Sequence, residues 1–110
     1  MGMVEAEPVD LLKPYVKKIV IQSADNVETY KVLPDTSLVM GFQYKGSISI
    51  IESNQTHKLA GNGITGFMDR YRVFANAAET KSILVYFTEA GAYNFFSFPL
   101  DELFNKSISL

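Results

Sequence analysis

The chain has 110 residues, a formal net charge of −2, no cysteine and one histidine. That length holds one domain with a modest core, and the absence of cysteine excludes disulfides and thiolate metal sites and fits a reducing cytoplasm. Ten Lys and Arg scattered along an acidic chain do not make the basic face of a free-standing nucleic-acid binder, and no apolar run reaches the length of a membrane span.

Residues 1–10 read as an N-terminal arm, with Met1-Gly2-Met3 set aside as a tag remnant. They carry no basic and apolar regions of a signal peptide. Residues 9–12 suit one helical turn, which Lys13-Pro14 ends, because a residue before proline avoids the helical region. Residues 15–22 read as a first strand. Lys17-Lys18 interrupts its apolar residues, which points to a bulge or an edge position. A turn follows at 23–26, then a strand at 28–33. Pro34 stops the ladder, and Asp35, Thr36 and Ser37 have the short polar side chains of a turn.

From Leu38 the hydrophobic period is two. Leu38, Met40, Phe42 and Tyr44 share one face, and Val39, Gly41 and Gln43 share the other. The first face is assigned to the core, together with Ile83, Val85 and Phe87. Strands are expected at 47–52, 56–59, 64–68 and 71–75. Gly61-Asn62-Gly63 is read as a tight reversal using positive φ angles. Residues 81–88 form a strand apolar on both faces, so it should be covered on both. From Glu89 the period becomes helical, weakened by Gly91. A second short helix is expected to start at Pro99, with Leu100, Leu103 and Phe104 on its apolar face. Residues 107–110 alternate and end on an apolar residue, which reads as a cut rather than a natural terminus. Many short strands separated by turns indicate an all-β barrel or sandwich.

Five motifs stand in sequence: Leu12-Lys13-Pro14-Tyr15-Val16; Val32-Leu33-Pro34-Asp35 before Leu38-Val39-Met40; Ile64-Thr65-Gly66; Val85-Tyr86-Phe87 before Glu89-Ala90-Gly91-Ala92; and Phe98-Pro99-Leu100-Asp101-Glu102-Leu103-Phe104-Asn105. In this order, over residues 11–110, the chain resembles the N-terminal effector domain of AraC-type bacterial transcription regulators. The resemblance implies a mainly β, cupin-like or jelly-roll barrel with short C-terminal helices. It implies a single regulatory domain at 11–110 that senses a small-molecule effector, dimerises, or both. DNA would be bound only by a helix-turn-helix module that this chain lacks.

The candidate sites follow from residue chemistry. His57 alone cannot supply the several histidines of a metal-holding cupin, so neither a metal nor a cofactor is expected. No nucleophile, base and orienting group stand together, so the chain is not expected to be an enzyme. Asp69-Arg70-Tyr71-Arg72 is the most polar strand-like patch. Arg70 or Arg72 can bind an anionic effector, or pair with Asp69, Glu79 or solvent on an outer face. The aromatic residues, Phe42, Tyr44 and Tyr86 among them, can line a ligand pocket or simply fill the barrel. The ligand-binding set is therefore Phe42, Tyr44, Arg70, Arg72 and Tyr86. Phe95, Phe96 and Phe98 exceed what one helix face hides. Phe95, Phe98, Leu103 and Phe104 are thus the expected surface of a homodimer. The alternatives are a free-standing small-molecule-binding barrel with no DNA role and a cupin-type enzyme. The histidine count opposes the second.

Overall fold

The computed structural model describes residues 2–33, 37–59, 61–66, 68–95 and 107–109; the side chains of Phe95 and of 107–109 lie outside that description. The elements are β1 (Gly2–Ala6), β2 (Val16–Ala24), β3 (Glu28–Val32), β4 (Val39–Lys45), β5 (Ile48–Glu52), β6 (Gln55–Lys58), β7 (Asn62–Thr65), β8 (Arg72–Asn76), β9 (Thr80–Phe87), α1 (Glu89–Phe95) and β10 (Ser107–Ser109). They form two antiparallel sheets, in the orders β1-β2-β9-β4-β7-β10 and β3-β8-β5-β6. Residues of both sheets line a common cavity, so the sheets face each other. The expected barrel is not closed. Among the described strands, β1 and β10 end the first sheet and β3 and β6 end the second, with no ladder joining them.

The register assigns every residue of the large sheet to a face, because partners directly opposite in a ladder point the same way. One row runs Lys18–Tyr86–Val39–Thr65 across β2, β9, β4 and β7, and turns toward the small sheet. The next row, Ile19–Val85–Met40–Ile64, turns outward. The outward row packs with Val16, Leu38, Phe87 and Ala92 into the main apolar cluster. A second cluster, Ile48, Ile50 and Phe74 with Tyr30, Val32 and Leu59, belongs to the inner face of the small sheet.

The face of β4 assigned to the core does join the main apolar cluster, through Leu38 and Met40, but it is the face under α1 rather than the one between the sheets. Met40 and Phe42 share the outer face, and Val39 and Gly41 look between the sheets. Leu38 and Phe87 are buried, while Phe42 and Ile83 are half-buried and Tyr44 is exposed. The physical reason is that the outer face is itself roofed by α1, so both faces of the sheet are apolar and alternation cannot say which one turns inward.

The roof is pinned by hydrogen bonds between two distant motifs. The helical turn expected at 9–12 is found at 10–15 and runs past Lys13-Pro14, with the Leu12 amide donating to Val9 O and the Tyr15 amide to Leu12 O (2.8 Å each). Thr88 caps α1: its Oγ1 accepts from the Gly91 amide (3.0 Å) and donates to Pro14 O (2.7 Å). The Thr88 amide donates to Tyr15 O (2.9 Å). Gly91 is required here, since a Cβ would lie 2.6 Å from the Tyr15 carbonyl carbon and touch its oxygen. The glycine that weakens α1 in isolation is what lets it dock.

Three local differences have causes. Residues 2–6, set aside as arm, pair with β2 from Gly2↔Ser23 to Ala6↔Ile19. Asn62 and Gly63 are strand rather than reversal, paired to Phe42 and Gly41 with glycine opposite glycine. Among the described residues the positive φ angles fall instead at Ser53, Asn54, Glu79 and Gly46. The first two make the type I′ turn of the β5–β6 hairpin. The turn expected at 34–36 and the helix expected from Pro99 lie outside the described residues.

Two outcomes are expected in urea unfolding. Ile64→Ala should cost about 2–5 kcal/mol, and Phe42→Ala less, since Ile64 is fully buried and Phe42 is not. Gly91→Ala should destabilise the chain although alanine is the better helix former; a neutral or stabilised variant would mean that α1 does not dock on Tyr15.

Candidate ligand site between the sheets

The space between the sheets holds a cavity of about 140 Å³. Val39, Thr65, Leu84, Tyr86 and Gln22 line it from the large sheet, and Tyr30, Val32, Ile48 and Phe74 from the small one. Ser37, Gly66 and Met68 line it from the connections. Tyr30 stacks on Phe74, with ring centroids 6.0 Å apart and planes at 23°. The lining is aliphatic and aromatic with a few hydroxyls and one amide, which suits an apolar guest with few polar groups.

One side of the cavity is tied down by polar side chains. Ser82 Oγ donates to Gln22 Oε1 (3.4 Å), and the Ile48 amide donates to Gln43 Oε1 (3.2 Å). Asn76, opposite Ile48 in the ladder, donates through Nδ2 to Asn26 O and Ala77 O (3.0 Å each); its Oδ1 has no partner among the described residues. Lys18 stands in the row of Tyr86 and Val39, and Lys17 precedes it as the residue without a ladder partner on β9. The ladder slips between Val16 and Lys18, the bulge that the interrupted pattern indicated. Lys17 Nζ donates to Ser37 Oγ (2.8 Å), and Lys18 Nζ sits 4.6 Å from the centre of the Tyr86 ring. Lys18 also pairs with Glu5 Oε1 of β1 at 3.4 Å.

Burial pushes the Tyr30 phenol above its ordinary pKa, and nearby Tyr86 and then Glu28 push it the same way. Tyr30 therefore stays a neutral hydrogen-bond donor at the edge of an apolar space.

The residues expected to bind a ligand divide between places. Tyr86 lines the cavity. Phe42 lies on the outer face of the same sheet and Tyr44 is exposed. Arg70 and Arg72 come together in a separate open cleft with Tyr71, Glu52, Ser53 and Asn54. There Arg70 Nε pairs with Asp69 (3.2 Å), and the largely buried Arg72 guanidinium pairs with Glu52 (2.7 Å). Each charge is matched by a carboxylate. The expected interface residues Phe98, Leu103 and Phe104 lie outside the described residues, and Phe95 ends α1 with its side chain undescribed. His57 is exposed on β6, and among the described residues no three metal-ligating side chains converge. No helix among them is long and apolar enough to cross a membrane. Sequence reasoning passed over Tyr30 and Gln22. The alternation of Tyr30 and Val32 in β3 was the available signal for the first.

Residues 4–109 match the model of a family described as domain of unknown function (DUF6597). The chain belongs to the DUF6597 family. No curated protein and no solved structure matches it. The match starts within β1 and ends within β10, so the family unit spans both sheets, the cavity and α1.

The Tyr30 shift sets a pH dependence. The folded chain holds this proton more tightly than the unfolded chain. Stability is therefore full below the ordinary tyrosine value of 10.0 and falls as pH rises from there through the raised value. Urea melts on either side of pH 10.0 should show a steeper alkaline loss in the native chain than in Tyr30→Phe. Equal slopes would mean that the phenol is not buried.

Proposed function

We propose that this chain is the N-terminal regulatory domain of an AraC-type transcription regulator. It senses an effector, assembles subunits, or does both, and leaves DNA to a C-terminal module. The observation that carries the reading is the strand order. With β1 and β10 set aside, β2-β9-β4-β7 facing β3-β8-β5-β6 is the order of two interlocked Greek keys, the jelly roll of cupin-like domains. The five motifs add to it. Two of them, around Pro14-Tyr15 and around Glu89-Ala90-Gly91-Ala92, meet at the Thr88 cap.

The cavity supports the sensing half of the reading, since it lies between the two sheets and is mostly apolar. The role is proposed as regulatory rather than catalytic because the sequence offers no nucleophile, base and orienting group that stand together. The cavity by itself also suits a second reading, a free-standing small-molecule-binding β protein with no part in transcription. The two readings differ in assembly. Dimerisation is assigned to Phe95, Phe98, Leu103 and Phe104.

The test joins the chain to a DNA-binding module that represses a reporter only as a dimer. Repression by the native fusion, lost in Phe98→Asp at equal expression, is the expected result. Sedimentation of the 110-residue chain at high micromolar concentration should give a dimer, and Phe98→Asp a monomer. A silent native fusion with a monomeric chain would favour the free-standing binder.

A further inference from the structure

We propose that the cavity takes a small cyclic monocarboxylate, with the ring among Tyr30, Phe74 and Leu84 and the carboxylate at the ammonium groups of Lys17 and Lys18. This rests on the cavity being the effector site of the proposed regulatory domain.

The size of the guest follows from volume. A dry cavity of roughly 150 Å³ lined by hydrocarbon accepts benzene, and this one is about 140 Å³. Drug-sized ligands fill roughly 300–1,000 Å³, so a single ring with one short substituent is the class that fits. The mostly apolar lining also disfavours sugars, whose many hydroxyls would lose water against Val32, Val39, Ile48 and Leu84 with few replacement partners.

The charge of the guest follows from the bulge. In a regular strand adjacent side chains point to opposite faces. The slip between Val16 and Lys18 instead lets both lysines reach residues that line the cavity. Lys17 contacts Ser37, and Lys18 lies over Tyr86. Among the described residues no carboxylate lines the cavity and Lys17 has no ion-pair partner. Lys18 already holds one carboxylate, that of the largely exposed Glu5, which a ligand carboxylate would displace. Glu28 lies beside Tyr30 and repels an anion there, which leaves the lysines as the place for the charge. The Lys18 side chain is 37% exposed, so the bound carboxylate keeps part of its water and avoids the full cost of burial. The arginine cleft is the poorer anion site, because Asp69 and Glu52 already occupy its charges.

The experiment is calorimetric titration of the 110-residue chain at low salt with benzoate, benzyl alcohol and benzylamine. Benzoate should bind roughly tenfold tighter than benzyl alcohol, the scale of one charge-assisted hydrogen bond, and benzylamine should bind least. The double variant Lys17→Gln, Lys18→Gln should bring benzoate down to the level of benzyl alcohol and leave benzyl alcohol unchanged. Glu5→Gln should tighten benzoate, a gain that a misfolded variant cannot produce. Benzyl alcohol binding as tightly as benzoate, benzoate indifferent to the double variant, or no binding by any probe would each overturn the proposal. The reporter fusion reads the parent hypothesis separately. A fusion that represses while no probe binds removes the ligand class alone. Lysine-dependent benzoate binding beside a silent fusion removes the regulatory role and keeps the ligand class.

Discussion

Strand β9 has to be covered twice, and most of the molecule is the solution to that requirement. Ile83, Val85 and Phe87 alternate with Leu84 and Tyr86, so neither face can be left to water at the usual cost of roughly 25 cal/mol per Å². The outward face is met by α1 and the start of β2, which add Ala92 and Val16 to the cluster of Phe87, Leu38 and Ile64. The inward face is met by the small sheet, with the cavity between them. Both covers depend on long-range pairing. β9 lies between β2 and β4, so a strand late in the chain must find partners formed much earlier. Such pairing carries a loop-closure cost before any contact rewards it. The Thr88 cap then fixes the helix immediately after the strand, which keeps the cover in place.

How much of this was legible depends on which physical quantity each feature follows from. Strand positions follow from local period and turn chemistry, and β2, β3, β4, β5, β8 and β9 fall within a residue or two of where alternation puts them. The double burial of β9 was legible for the same reason. The orientation of β4 was not, because period two distinguishes two faces without naming them, and here Met40 and Val39 are both apolar. Strand β1 was hidden because Gly2–Ala6 has little strand propensity of its own and exists through its ladder with β2. The exchange of a reversal for strand at Asn62 has the same origin. Glycine signals freedom, and whether that freedom serves a turn or a close glycine–glycine pairing is decided by the partner strand.

The site shows a similar division. A bulge at Lys17-Lys18 was legible from the interrupted pattern, but not what it is for. Two adjacent charges in a strand read as edge protection, yet β2 is an interior strand between β1 and β9. Only the fold reveals Ser37 and Tyr86 as the lysines' neighbours. Arg70 and Arg72 drew attention as charges in strand-like sequence. Their carboxylate partners, Asp69 next door and Glu52 on β5, turn that patch into a neutral one. Tyr30 had no sequence signal beyond alternation, since its importance comes from stacking on Phe74 and from facing Tyr86 across the gap.

The same register that builds the cavity gives an occupant leverage over the outer surface. The inward row Lys18–Tyr86–Val39–Thr65 and the outward row Ile19–Val85–Met40–Ile64 are consecutive residues on the same four strands. A close-packed sheet transmits displacement, because its side chains have few voids to absorb it. Under the regulatory reading, a guest pressing on Tyr86 and Val39 bears directly on strands whose other face carries α1 through Ala92. Thermodynamics adds one condition. The guest changes the helix only if it binds one arrangement of these rows better than another. The bulge supplies a place for such a difference, since Lys18 can hold Glu5 or a ligand carboxylate but not both at full strength. Competition at that one ammonium ties β1, the cavity and the sheet beneath α1 into a single balance of charge and packing.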